Sequence, residues 1–123
     1  MAGPRVGWLG GSFDPVHQGH LTIARQAAQA FHLDRVLLVP AHRPPHKPDR
    51  DLAPDADRLA LLEVACRDDD TLEPHPVELE RKGTSYSFDT ARELLAGLPE
   101  GTRLYYVIGA DTLSNLGGVD GIV

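Results

Sequence analysis

Cysteine is nearly absent, since Cys66 is the only one in 123 residues. A lone thiol forms neither an intramolecular disulfide nor a cysteine-based metal site, so packing must hold the fold. Long apolar runs are missing too, which excludes a membrane-spanning helix. Met1–Arg5 leads into a short strand-like run rather than a signal peptide's apolar stretch, so a cytoplasmic protein is expected. There is no basic excess: 12 Lys+Arg face 18 Asp+Glu, a formal net charge of −6. That balance argues against nucleic acid and membrane surfaces as partners. The charge is uneven, however. Residues 1–50 carry six basic side chains against three acidic ones, and residues 51–123 carry six against fifteen. A locally positive segment in an acidic chain suits a small anionic ligand better than a polymer. What is present is ordinary for a globular protein, 41% hydrophobic and 24% charged residues. With no repeat and no linker, residues 1–123 read as one domain.

Arg5 to Gly10 is a short apolar run ending in a glycine pair, and Gly19 to Phe31 places Leu21, Ala24, Ala28 and Phe31 at helical spacing. Arg35 to Pro40 is a continuous apolar run that fits a strand buried on both faces. The proline-rich stretch Ala41 to Pro54 must be a loop, long enough to be functional. Asp55 can cap a helix carrying Leu59, Leu62 and Cys66 on one face. Thr71–Glu80, broken by Pro74 and Pro76, reads as an extended edge segment. A helix over Ser87–Leu95, closed by Gly97 and Pro99, and a strand over Arg103–Gly109 complete the pattern. Alternating strands and helices predict an α/β fold: a Rossmann-like parallel sheet with helices on both faces. In such sheets ligands bind beyond the carboxyl ends of the strands, here the segments Gly10–His20, Pro40–Lys47 and Gly109–Asp111.

The first of these, Gly-Gly-Ser-Phe-Asp-Pro-Val-His-Gln-Gly-His over 10–20, runs a glycine turn into a helix start with His17 and His20 three residues apart. Unpaired backbone N–H groups and the positive end of the helix dipole suit phosphate, and two imidazoles add donors. The histidines could instead merely cap the helix, but the turn and Asp14-Pro15 ahead of them favour phosphate. The segment is neither a Walker loop nor a G-x-G-x-x-G fingerprint. His42 and His46 share a loop without an acidic partner or zinc spacing and read as solvated, and no metal ligands are assigned. His32 and His75 read as surface residues, Trp8 and one of Tyr105 and Tyr106 as core, Cys66 as a small buried apolar residue, and Asp68–Asp70 as a solvated turn.

Gly-Ser-Phe-Asp-Pro followed by His-x-Gly-His resembles the signature of the HxGH nucleotidyltransferases. Together with Pro44-Pro-His-Lys47, Ser85-Tyr-Ser-Phe-Asp-Thr90 and Tyr106-Val-Ile-Gly-Ala-Asp-Thr-Leu113, in that order over residues 5–116, the chain resembles the bacterial nicotinate-nucleotide adenylyltransferases. The resemblance implies a nucleotidyltransferase-type fold and adenylyl transfer from ATP to nicotinate mononucleotide, giving deamido-NAD and pyrophosphate. Mg²⁺ would arrive on the ATP phosphates. It assigns His17, His20 and Lys47 to the triphosphate, and Gly10, Gly11, Ser12 and Phe13 to adjacent phosphate or nucleotide groups. It further gives Gly109 and Asp111 to the nucleotide, Asp111 on a ribose, and Ser85, Tyr86 and Ser87 to nicotinate mononucleotide. Phosphopantetheine as acceptor ranks lower, because enzymes of that kind usually carry threonine at the first histidine and lack the Pro-Pro-His-Lys and Ser-Tyr-Ser motifs.

Two features depart from the family pattern. No Ser/Thr-x-x-Arg motif follows, and Gly118 and Val119 stand where a tryptophan is usual, within an atypical tail at residues 117–123. A C-terminally shortened chain is therefore expected, with an exposed sheet edge, marginal stability and weakened catalysis. A silent nucleotide-binding fragment or interaction module is the alternative function, and a homo-oligomer stays open.

Overall fold

The first strand, β1 (Arg5–Gly11), sits inside the sheet and organises the rest. In this computed structural model, which describes residues 3–42, 53–81 and 87–108, β1 pairs in parallel with β2 (Arg35–Pro40) and β4 (Arg103–Val107). A short β3 (Leu72–Pro74) extends the sheet beyond β2, giving the order β3-β2-β1-β4. The helices are α1 (Gln18–Phe31), α2 (Asp55–Cys66), α3 (Val77–Arg81) and α4 (Ser87–Ala96). The parallel sheet with helices on both faces is thus present.

Alternation along the strands builds one core on each face. Leu9, Val36, Leu38 and Val107 pack with Leu21, Ala24, Leu62 and Cys66 of α1 and α2. Val6, Trp8, Leu37 and Val39 pack with Val77 and Leu94 of α3 and α4. Each fully buried aliphatic or aromatic side chain contributes roughly 1.5–3 kcal/mol. Cys66 is buried, as expected, and Trp8 stacks on Tyr106 with ring centroids 4.2 Å apart. Among the described residues no helix is long and apolar enough to cross a membrane.

Three local expectations change. The glycine pair lies within β1 rather than in the turn, with Gly10 opposite Val39 and Gly11 opposite Pro40. α2 begins at Asp55 itself; Pro54 precedes it without a side-chain cap, and the Asp55 carboxylate is engaged elsewhere. Thr71–Glu80 is not continuously extended, because a helical turn forms right after Pro76 and Glu80 N–H donates to the Pro76 carbonyl at 2.9 Å. Proline is compatible with a helix start, and Glu78, Glu80 and the closing Arg81 match the helix dipole.

A polar network joins α3 to α4. Thr90, fully buried, donates to Glu78 Oε2 at 2.6 Å and accepts from Arg81 Nη1 at 3.3 Å. Arg81 also pairs with Glu93 at 3.0 Å. Burial pushes the Glu78 carboxyl above its ordinary pKa, against smaller lowering effects of the Thr90 bond and the Arg81 charge. The folded chain therefore holds this proton more tightly than the unfolded chain. The stability it contributes is present below the ordinary glutamate value and lost as pH rises through the folded one. Urea unfolding of wild type and Glu78→Gln across about pH 4 to 7 should show the wild type losing stability relative to the variant as pH rises. Parallel curves would contradict this assignment.

Candidate active site

The connections run from β1 out to β2 and β3 and then return to β4 on the other side of β1. The order of strands thus reverses between β1 and β4, and in open α/β sheets such a switch point opens the binding crevice beyond the carboxyl ends. The start of α1 on one face and of α4 on the other flank that end of β1.

His17 and His20 form a capping box at the start of α1. His17 is the N-cap, with Nδ1 accepting from the Gly19 N–H at 3.1 Å, and His20 Nδ1 accepts from the His17 N–H at 3.0 Å. The capping role set against phosphate in the sequence is thus real, and it is also what prepares the site. A backbone N–H can only donate, so both Nδ1 atoms are acceptors, and in the neutral rings the proton sits on Nε2. Among the described residues neither Nε2 has a hydrogen-bond partner. The rings stack with centroids 3.8 Å apart. Two N–H donors on stacked rings, fixed in tautomer by these bonds, stand beside the positive end of a 14-residue helix. Burial lowers the His20 pKa, helped by the His17 charge, which favours the neutral donor form.

The residues around the pair explain its shape. A Cβ on Gly19 would lie 2.9 Å from Cε1 and 3.0 Å from Nδ1 of His17, so only glycine admits the His17 ring in this position. Phe13 is in the core at 1% exposure, holds a left-handed φ of 47°, and meets His20 edge-on at 4.7 Å. Its side chain supports His20, which leaves only its backbone for a ligand. A non-glycine residue in that conformation is costly, and burial of the ring offsets the cost.

A cytidylyltransferase-like family model matches residues 8–122. The chain belongs to the cytidylyltransferase-like family. It is 46% identical over 112 residues to the probable nicotinate-nucleotide adenylyltransferase of Synechococcus sp. (strain JA-3-3Ab), covering 91% of this chain and 54% of that protein. The corresponding protein of Solibacter usitatus is 48% identical over 108 residues, covering 88% and 57%. The chain therefore spans about half the length of these curated relatives. Among solved structures, the Plasmodium falciparum nicotinic acid mononucleotide adenylyltransferase complexed with NaAD superposes with a TM-score of 0.70 at 15% identity, over 92% of this chain and 55% of that one. That likeness confirms the fold.

The remaining residues named from the sequence divide as follows. In this member of the cytidylyltransferase-like family, Gly10, Gly11, Ser12, Phe13, His17 and His20 cluster around the junction of β1 and α1. Ser87 opens α4, and its hydroxyl donates to the Tyr106 hydroxyl at 3.1 Å, beside the Trp8–Tyr106 stack. Burial raises the Tyr106 pKa, keeping that hydroxyl neutral. Lys47, Ser85, Tyr86, Gly109 and Asp111 lie outside the described residues, as does His46. His42 is not merely solvated: its Nδ1 pairs with Asp55 Oδ2 at 2.5 Å. His75 is half-buried rather than on the surface, and burial lowers its pKa. It lines a cavity of about 450 Å³ with Arg35, Leu37 and Arg81, and none of the sequence-named site residues among the described residues lines that cavity.

Sequence reading missed Arg58, which is 1% exposed and bonded to Ser12, Ala41, Ala53 and Asp55. Its signal was periodicity, because Arg58, Leu62 and Cys66 form one i, i+4, i+8 stripe on α2, all buried. An arginine on an apolar stripe is buried with partners.

Proposed function

We propose that the chain carries the phosphate site of an adenylyltransferase joining ATP to nicotinate mononucleotide, with deamido-NAD and pyrophosphate as products. The observation that carries this reading is the stacked His17–His20 pair, whose Nδ1 atoms are committed to the helix start. The names of the relatives supply the nucleotide chemistry and the acceptor. A phosphate oxygen of nicotinate mononucleotide attacks the α-phosphorus of ATP, the bond from that phosphorus to the bridging oxygen breaks, and pyrophosphate leaves with that oxygen. No covalent enzyme intermediate is required, so the protein's work is positioning and charge stabilisation.

In this reading the His20 Nε2–H donates to the α-phosphate, where charge develops, and His17 to the neighbouring phosphate. Lys47, in the segment between β2 and α2, would add a cation. Gly10, Gly11, Ser12 and the Phe13 backbone contact adjacent groups, Gly109 and Asp111 take the adenosine side, and Ser85, Tyr86 and Ser87 take the acceptor. Mg²⁺ would arrive on the ATP phosphates. Bound there, it would supply positive charge beside the departing pyrophosphate. The water-soluble substrates suit a cytoplasmic enzyme.

A second reading is nucleotide binding without turnover, since the histidine pair offers phosphate donors whether or not an acceptor site accompanies them. A pyrophosphate-release assay with ATP, Mg²⁺ and nicotinate mononucleotide, run beside an ATP titration, separates the two. Acceptor-dependent release supports the transferase. ATP binding without release supports the second reading, and a folded chain that binds no ATP refutes both.

A further inference from the structure

Arg58 is the most deeply buried charged side chain among the described residues, and its bonds reach well beyond its own helix. Nε donates to the Ala53 carbonyl at 2.9 Å, Nη1 to the carbonyls of Ser12 at 2.8 Å and Ala41 at 2.6 Å, and Nη2 to Asp55 Oδ1 at 2.6 Å. The other Asp55 oxygen holds His42. One planar fork therefore grips the turn after β1, the residue that follows β2 and the entry to α2. Two further bonds tie the same segments together: Ala41 N–H donates to the Gly11 carbonyl at 2.8 Å, and Ala53 N–H to Asp14 Oδ2 at 3.4 Å.

Stability alone does not call for this arrangement. A buried charge is replaced by a well-packed apolar side chain at little or no cost in many proteins, and position 58 continues the stripe of Leu62 and Cys66. An apolar residue, however, could not orient three carbonyls at once. In a trans peptide the C=O and the following N–H point in opposite directions, so fixing the Ser12 carbonyl on Arg58 turns the Phe13 N–H away from it. That N–H has no partner among the described residues.

We propose that Arg58 is a positioning residue of the phosphate site, locking the Ser12–Phe13 peptide and both ends of the segment between β2 and α2 into a single arrangement. The proposal rests on the phosphate reading of that turn. Lysine preserves the charge but not the fork, so it cannot hold three segments. The experiment compares wild type, Arg58→Lys and the milder Asp55→Asn as full 123-residue chains. One readout is amide hydrogen exchange and the other is ATP affinity.

In Arg58→Lys, exchange should quicken at Ala41 and at the first turn of α2 while the amides of Leu37 and Val39, which face β1 in the β1–β2 ladder, stay protected. ATP affinity should fall by on the order of tenfold or more, because small misplacements of binding groups are costly. Asp55→Asn should shift both readouts the same way and less. Unchanged exchange, or a uniform rise across the sheet, overturns the proposal, as does wild-type ATP affinity in a variant whose local exchange has risen. A wild-type chain with no ATP affinity overturns it as a phosphate-site residue together with the phosphate reading; local loosening in Arg58→Lys alongside it would locate the fault in that reading and not in the clamp.

Discussion

Replacing His20 with alanine should lower turnover by about 10²–10³, the usual cost of removing one aimed donor from a developing charge. Where turnover is too slow to time, the ATP affinity should show the loss. The variant gives up the Nε2–H donor, the ring stacked on His17 and the acceptor for the His17 N–H. Loss of the cap costs about 1 kcal/mol in stability, too little to unfold a domain of ordinary stability. Trp8, the sole tryptophan, is buried against Tyr106, so its emission reports whether the variant is folded. Full activity in a folded His20→Ala chain would remove the histidine pair from the mechanism.

Acid pH should act on the same group from another direction. Because burial, with help from His17, depresses the His20 pKa, the unfolded chain binds this proton more readily than the folded one. The stability involved is complete above the ordinary histidine value of about 6.5 and is lost as pH falls through the folded value. A protonated ring would also turn Nδ1 from acceptor to donor, opposing the His17 N–H it now receives. His20→Ala should therefore be less sensitive than wild type to a fall from about pH 7 to 5 in thermal unfolding, and equal sensitivity would contradict the assignment.

Much of this was legible in the sequence because it rests on one-dimensional patterns. Arg35–Pro40 is apolar at successive positions, and only a strand buried on both faces uses such a run. Leu21 and Ala24 mark the buried stripe of α1 in the same way. The pair His17 and His20, just ahead of that stripe, located the candidate site, with Gly19 between the histidines in the role described above. What stayed hidden depended on partners distant in sequence. Periodicity places Arg58 on the buried stripe of α2, but its partners stay hidden until Ser12 and Ala41, 46 and 17 residues away, bring their carbonyls to it. The helical turn at Val77–Arg81 was masked by Pro74 and Pro76, which break a strand but leave a helix free to start after them. His42 gained its acidic partner from the entry to α2, 13 residues on in the sequence.

Gly19→Ala should separate stability from function. Gly19 lies in the first turn of α1, where alanine is favoured over glycine by up to about 1 kcal/mol. No positive φ opposes the change, and the clash is with the exposed His17 ring, which can swing away. Losing the His17 cap bond costs as much, ~1 kcal/mol, so thermal stability should stay close to wild type. The ring that swings away, however, gives up the bond from the Gly19 N–H and the stacking on His20, and with them the fixed direction of its Nε2–H. ATP affinity should fall by on the order of tenfold or more. Affinity falls while stability holds, which no general destabilisation can produce. A Gly19→Ala chain that binds ATP as tightly as wild type would mean that the orientation of His17 is not what this glycine serves, and would return the capping box to a purely structural role.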